Sequence, residues 1–162
     1  MRIERMSPHS PSLRIAVAAA LVFVLLGPAN AQTGSTPQAA LADLFGIGRG
    51  FAAGLAASLP PSATGKQSVA MRGFRVTVNR TDAGLVPLAL EARSPEAVAV
   101  ISKALFETTR ASLVASLGTP KELYDGTLRF AGPAEACGES VDLAFRGERL
   151  AGISWRFCAE SP

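Results

Sequence analysis

Two blocks of period-two alternation, separated by one helical stretch, narrow the fold of this 162-residue chain more than any other feature. Phe74, Val76 and Val78 alternate with Arg75, Thr77 and Asn79, the signature of a half-buried strand. Val86, Leu88 and Leu90 continue the alternation beyond Asn79-Arg80-Thr81 and Asp82-Ala83-Gly84, which read as turn chemistry, so the pair predicts a hairpin. Pro87 falls on the opposite face and predicts an edge strand, because proline cannot donate to a ladder. In the second block Leu128 and Phe130 mark a short strand, and Val141, Leu143 and Phe145 a longer one. After a turn at Arg146-Gly147-Glu148, Ile153, Trp155 and Phe157 mark the last. Between the blocks, Ser94-Pro95-Glu96 opens a helix with a cap, a proline at the first helical position and an acid in the first turn. Val98, Ile101 and Leu105 form its stripe, and Thr108 and Thr109 either interrupt it or cap a second helix carrying Leu113, Val114 and Leu117. Gly118 and Pro120 end the segment. The expected class is α+β: a small antiparallel sheet of four to five strands packed against one long or two short helices, with a separate N-terminal amphipathic helix.

The last hairpin also constrains the two cysteines. A plain two-residue loop at Gly147-Glu148 sets Leu143 against Gly152 and Val141 against Ser154, contradicting the apolar faces. A one-residue bulge near Ala151-Gly152 restores Leu143 with Ile153 and Val141 with Trp155, and leaves Cys137 within reach of Cys158. Neither a C-x-x-C spacing nor a neighbouring histidine favours redox chemistry, so a structural disulfide is expected.

The N-terminal end sets the compartment. Arg2, Arg5 and Arg14 precede the apolar run of residues 15–26, Gly27-Pro28 breaks it, and Ala29-Asn30-Ala31 offers small residues at the positions a signal peptidase reads. The run is too short to span a bilayer, which takes about 20 residues. A signal peptide over residues 1–31, cleaved after Ala31, is therefore expected, with a periplasmic or secreted product beginning at Gln32. Cleavage removes three arginines and one glutamate from totals of 16 basic and 13 acidic residues, leaving the charge nearly balanced, which argues against nucleic-acid binding. The one histidine, His9, also lies in that segment. A mature chain without imidazole excludes Ser-His-Asp and Cys-His catalysis and histidine-ligated metals.

Residues 32–65 read as a flexible leader, a Gly-rich amphipathic helix and a Pro-rich linker (Pro60-Pro61), ahead of an α+β domain over 66–160. Leu41, Leu44, Gly48, Phe51, Leu55 and Leu59 recur at three- and four-residue steps, a helical stripe. Gly46, Gly48, Gly50 and Gly54 each cost about 1 kcal/mol against alanine, so the helix needs a partner surface. Leu41, Leu44, Phe45, Phe51 and Leu55 either pack on the domain or dock on an envelope protein or a membrane surface. Gly-Ile-Gly-Arg-Gly and Thr64-Gly65-Lys66 lack the spacing of nucleotide-binding loops, and no cofactor is expected.

The run Leu113-Val114-Ala115-Ser116-Leu117-Gly118-Thr119-Pro120, then Leu128-Arg129-Phe130 and a hairpin turning at Gly147, resembles the helix, "LG-x-P" and three-strand layout of BamE-like small outer-membrane assembly proteins. The similarity covers residues 94–158. It implies a scaffolding role without catalytic residues. The chain differs in having no lipid-accepting cysteine, an additional hairpin ahead of the helix, and a disulfide.

Three functions follow as expectations. The first is a non-enzymatic interaction or scaffolding module of the bacterial cell envelope. The second is a small-ligand carrier with its site between sheet and helix, for which Tyr124 and Trp155 are the large aromatics with polar handles, Trp155 also fitting plain core. The third is a hydrolase drawing a carboxylate pair from Glu91, Glu122, Asp125, Glu135 and Asp142, held about 5–10 Å apart, or a Ser-Lys pair using Lys66, Lys103 or Lys121.

Overall fold

The computed structural model describes residues 36–59, 65–82, 84–123, 125–133 and 137–159. The signal segment, the Pro60-Pro61 linker, Ala83, Tyr124 and Glu135 lie outside them. Helix α1 (Pro37–Ala57) is followed by strands β1 (Lys66–Met71), β2 (Phe74–Thr81) and β3 (Gly84–Ala92). Helices α2 (Pro95–Ile101), α3 (Lys103–Glu107) and α4 (Arg110–Leu117) come next, then β4 (Lys121–Glu122), β5 (Leu128–Ala131), β6 (Ser140–Arg146) and β7 (Arg149–Arg156). The class is α+β, and the strands form one antiparallel sheet in the order β1-β2-β3-β7-β6-β5-β4.

The sheet has seven strands where four to five were expected. The two additional strands are its edges. In β1 (Lys-Gln-Ser-Val-Ala-Met) one face is fully exposed and the other only half-buried, so hydropathy alternates weakly, and the two-residue β4 is too short to show a period. The turn into β2 needs positive φ at Arg72 (+49°) and Gly73 (+84°). Asn79-Arg80-Thr81 belongs to β2 itself, so the turn into β3 begins after Thr81. Strand β3 is interior, not an edge. Pro87 is accommodated because β7 pairs only with Ala89–Ala92, and β2 breaks register between Thr77 and Val78, beside the proline.

The segment expected to hold one long or two short helices holds three. Ser94, Ser102 and Thr109 sit in extended conformation, and each side chain accepts the amide of the residue three positions on, at 3.1–3.3 Å. Thr109 caps the last helix, as the sequence allowed. Ser102 was not foreseen, because the apolar spacing runs through it unbroken. Ser102→Ala is expected to lower stability by about 1 kcal/mol, read as a shift of the urea midpoint at unchanged slope; an unmoved midpoint would show that α2 and α3 do not need this cap.

Helix α1 is not separate. It begins at Pro37 behind a Thr36 cap, so residues 37–40 are helical where a flexible leader was expected. Leu44, Phe45, Ala52 and Ala56 are buried with Val76, Leu90, Val98, Leu113, Val141, Leu143 and Trp155 in one core cluster. The reason is steric and polar together. Gly48 lies against Trp155, where a Cβ would stand 2.6 Å from the ring, and the indole Nε1 donates to the Leu44 carbonyl at 3.2 Å. The glycine that weakens the helix in isolation is what lets it reach the sheet. Trp155, fully buried, is core. By length and a mean hydropathy of 1.3, α1 would also suit a membrane span, but here its inner face is covered by the sheet.

The hairpin register matches the bulged one. Val141 pairs with Trp155 and Leu143 with Ile153, and the register shifts between Ala144 and Phe145, leaving Ala151 unpaired. Cys137 and Cys158 are bridged, with Cα atoms 5.8 Å apart.

Candidate functional site

The inner residues of the strands and the buried residues of α1, α2 and α4 form a single core, so the helices cover one face of the sheet. The opposite face carries the alternate residues. Strand register aligns Arg129, Asp142, Ser154, Glu91 and Arg75 in one row across five strands, and Ala131, Ser140, Arg156, Ala89 and Thr77 in the next. Apart from Ser140, all of these are exposed or half-exposed.

Ion pairs and a hydroxyl contact link side chains across this face. Arg129 grips Asp142 with two parallel bonds of 2.6 Å, one from Nε and one from Nη2. The pair raises the Arg129 pKa above its ordinary value, chiefly through the hydrogen bond to Asp142. Arg93 Nε donates to Glu91 at 2.8 Å, and the Ser68 and Thr77 hydroxyls meet at 2.7 Å.

A hollow of about 400 Å³ opens in the face, bordered by Glu91, Arg93, Asp125, Asp142, Gly152 and Ser154. Its cause is local. The β3–β7 ladder ends where Ala92 pairs with Ile153, after which the chain leaves for α2, and the β7 bulge bends the neighbouring strand. At Gly152 a Cβ would press on the Ala92 carbonyl at 3.2 Å, so the close passage of β3 over β7 favours glycine there.

The hollow brings together Glu91, Asp125 and Asp142, three of the five acids singled out in the sequence. Glu122 lies elsewhere, bonded to Arg110 at 2.9 Å. Lys103 pairs with Glu107 at 3.4 Å, and Lys66 and Lys121 stand on the two edge strands. The Asp125 carboxylate accepts the Thr127 amide at 3.0 Å, which holds its pKa below the ordinary value. That environment favours a permanently charged acceptor, whereas glycoside-type hydrolysis needs one carboxyl held protonated. Among the described residues, no group of three or more His, Cys, Asp or Glu could hold a metal ion.

Of the two readings left open for the N-terminal stripe, the structure shows packing on the domain. Leu44 and Phe45 are buried in the chain's own core, and Leu41, Phe51 and Leu55 are partly buried against it, with the Phe51 ring 4.8 Å from that of Phe74. Apart from Glu91 and Asp142, named among the possible acids, the outer-face residues were not read as a site. Their only sequence signal is their place between the apolar positions of each strand, which any half-exposed sheet shares.

Comparison with family models, with curated proteins and with solved structures gives no match for this chain.

Proposed function

We propose that the chain is an exported, non-enzymatic scaffolding module of the cell envelope that offers the outer face of its sheet to another protein. One observation carries the reading: the helices stack on one side of a seven-stranded sheet, and the other side presents a mixed-charge surface around a hollow. Its central row holds two anions, Glu91 and Asp142, between two cations, Arg75 and Arg129, which suits a protein surface of mixed charge better than a polyanion. An apolar N-terminal helix and a bridged cysteine pair are compatible with export. Cleavage after Ala31, a periplasmic or secreted location and a BamE-like assembly role belong to the same proposal.

Photo-crosslinking in the native host tests the face. A photoreactive residue at Ala89 or Ser154 should give one adduct of defined mass, and the same residue at Lys103 or Glu107 on the helical side should give none. Equal labelling from both sides, or none from the sheet side, would refute the reading. A hollow of this size also falls within the range of small-ligand sites. Native mass spectrometry of the isolated protein separates the carrier reading, which requires a bound small-molecule mass.

A further inference from the structure

Helix α1 is held at its middle by contacts from Glu139 and Phe157 that converge on Arg49. The guanidinium pairs with the Glu139 carboxylate, whose side chain is fully buried, and its central carbon stands 5.8 Å from the centroid of the Phe157 ring. One turn earlier, Phe45 of α1 packs into the same corner, where Gly132 leaves room. A Cβ there would meet the Phe45 ring at 2.8 Å and the Glu139 side chain at 2.6 Å.

Both groups that receive Arg49 lie just outside the sheet. The last β6–β7 ladder pair is Ser140 with Arg156, so Glu139 and Phe157 each stand one residue beyond it. Single backbone bonds steady them, Gly132 N–H to the Glu139 carbonyl and Phe157 N–H to the Leu88 carbonyl, both at 2.8 Å. The Cys137–Cys158 bridge closes immediately beyond, two residues before Glu139 and one after Phe157. It therefore fixes the separation of the two groups that Arg49 must meet together. Cys137 is exposed and Cys158 half-buried, so the bond is open to solution thiols.

We propose that the Cys137–Cys158 disulfide is a redox-sensitive latch for α1. Closed, it holds Glu139 and Phe157 in register for Arg49 and keeps α1 on the sheet. A dithiol reductant opens it by thiol–disulfide exchange. The S–S bond breaks, two electrons and two protons pass to Cys137 and Cys158 as thiols, and the reductant's two sulfurs join in a disulfide. α1 then lifts while the sheet persists, uncovering Leu44, Phe45 and the face of Trp155. The latch stands independently of the outer-face reading.

Arg49 is the only lysine or arginine in α1, so trypsin reports its release directly. Treating the isolated protein with dithiothreitol is expected to speed cleavage after Arg49 about tenfold, because proteolysis follows the population of the opened state. Cleavage after Arg75 and Arg129, in the sheet, should stay unchanged, and the emission of the single tryptophan should shift to longer wavelength. Oxidised Glu139→Gln should resemble the reduced protein at Arg49, and reduction should then add less than about threefold, since coupled changes are not additive. An unchanged rate at Arg49, a uniform rise at all three sites, or a full tenfold response in the E139Q protein would each overturn the latch.

Discussion

Trp155→Ala is expected to lower the unfolding free energy by about 4 kcal/mol, near the top of the range for a buried aromatic. The indole lies between two strands and a helix. Val141 and Leu90 flank it across the sheet, Gly48 of α1 lies against the ring, and Nε1 donates to the Leu44 carbonyl. Alanine would leave a cavity between α1 and β7 that neither surface can close without shifting the helix, and would remove the indole's bond to the Leu44 carbonyl, which keeps its partner within α1. A small domain has a margin of about 5–15 kcal/mol, so the variant should remain folded but give way at much lower denaturant. Urea unfolding followed by far-UV circular dichroism checks this, and a loss under about 1.5 kcal/mol would show that α1 contributes little to the core.

Replacing both Cys137 and Cys158 by serine is expected to cost about 3 kcal/mol, mainly by freeing the unfolded chain that the 21-residue separation restrains. The hairpin register should survive, because Val141 with Trp155 and Leu143 with Ile153 are fixed by apolar burial. Two measurements check it. Alkylation of the unfolded, unreduced native protein should label no thiol, and cross-strand nuclear Overhauser effects between residues 141 and 155 should persist in the double variant. Two labelled thiols would remove the bridge; loss of the cross-strand signals would make it a determinant of register.

Much of the β-structure was legible because burial on one face writes itself as alternation. The β6–β7 pairing, including its bulge, follows from refusing to place Leu143 opposite glycine. The helix start at Ser94-Pro95 was equally plain. What escaped is where burial is weak or where polar groups override spacing. Strand β1 has Lys66, Ser68 and Ala70 exposed, and its other face is only half-buried at the sheet edge. Ser102 breaks a continuous apolar period with one hydroxyl. Helix α1 was legible as needing a partner surface, but not which of its glycines meets it: Gly48 alone faces a ring, and Gly46, Gly50 and Gly54 face open space. The candidate site was illegible for a different reason: it is assembled by register across five strands, and no local stretch carries it.

The strand order divides the sheet into two runs of sequential neighbours, β1-β2-β3 and β4-β5-β6-β7, which meet only where Ala89–Ala92 pairs with Ile153–Arg156. Within each run, contacts are local and closure entropy is small. At the seam, everything from α2 to β6 must be brought round before the first bond forms. Within the sheet, the longest sequence separation is thus confined to one ladder of four residue pairs, whose closure is the costliest pairing step of the sheet. Leu90 and Trp155, paired within it, also belong to the core that α1 completes, so closure of this ladder and the docking of the first helix share the same side chains.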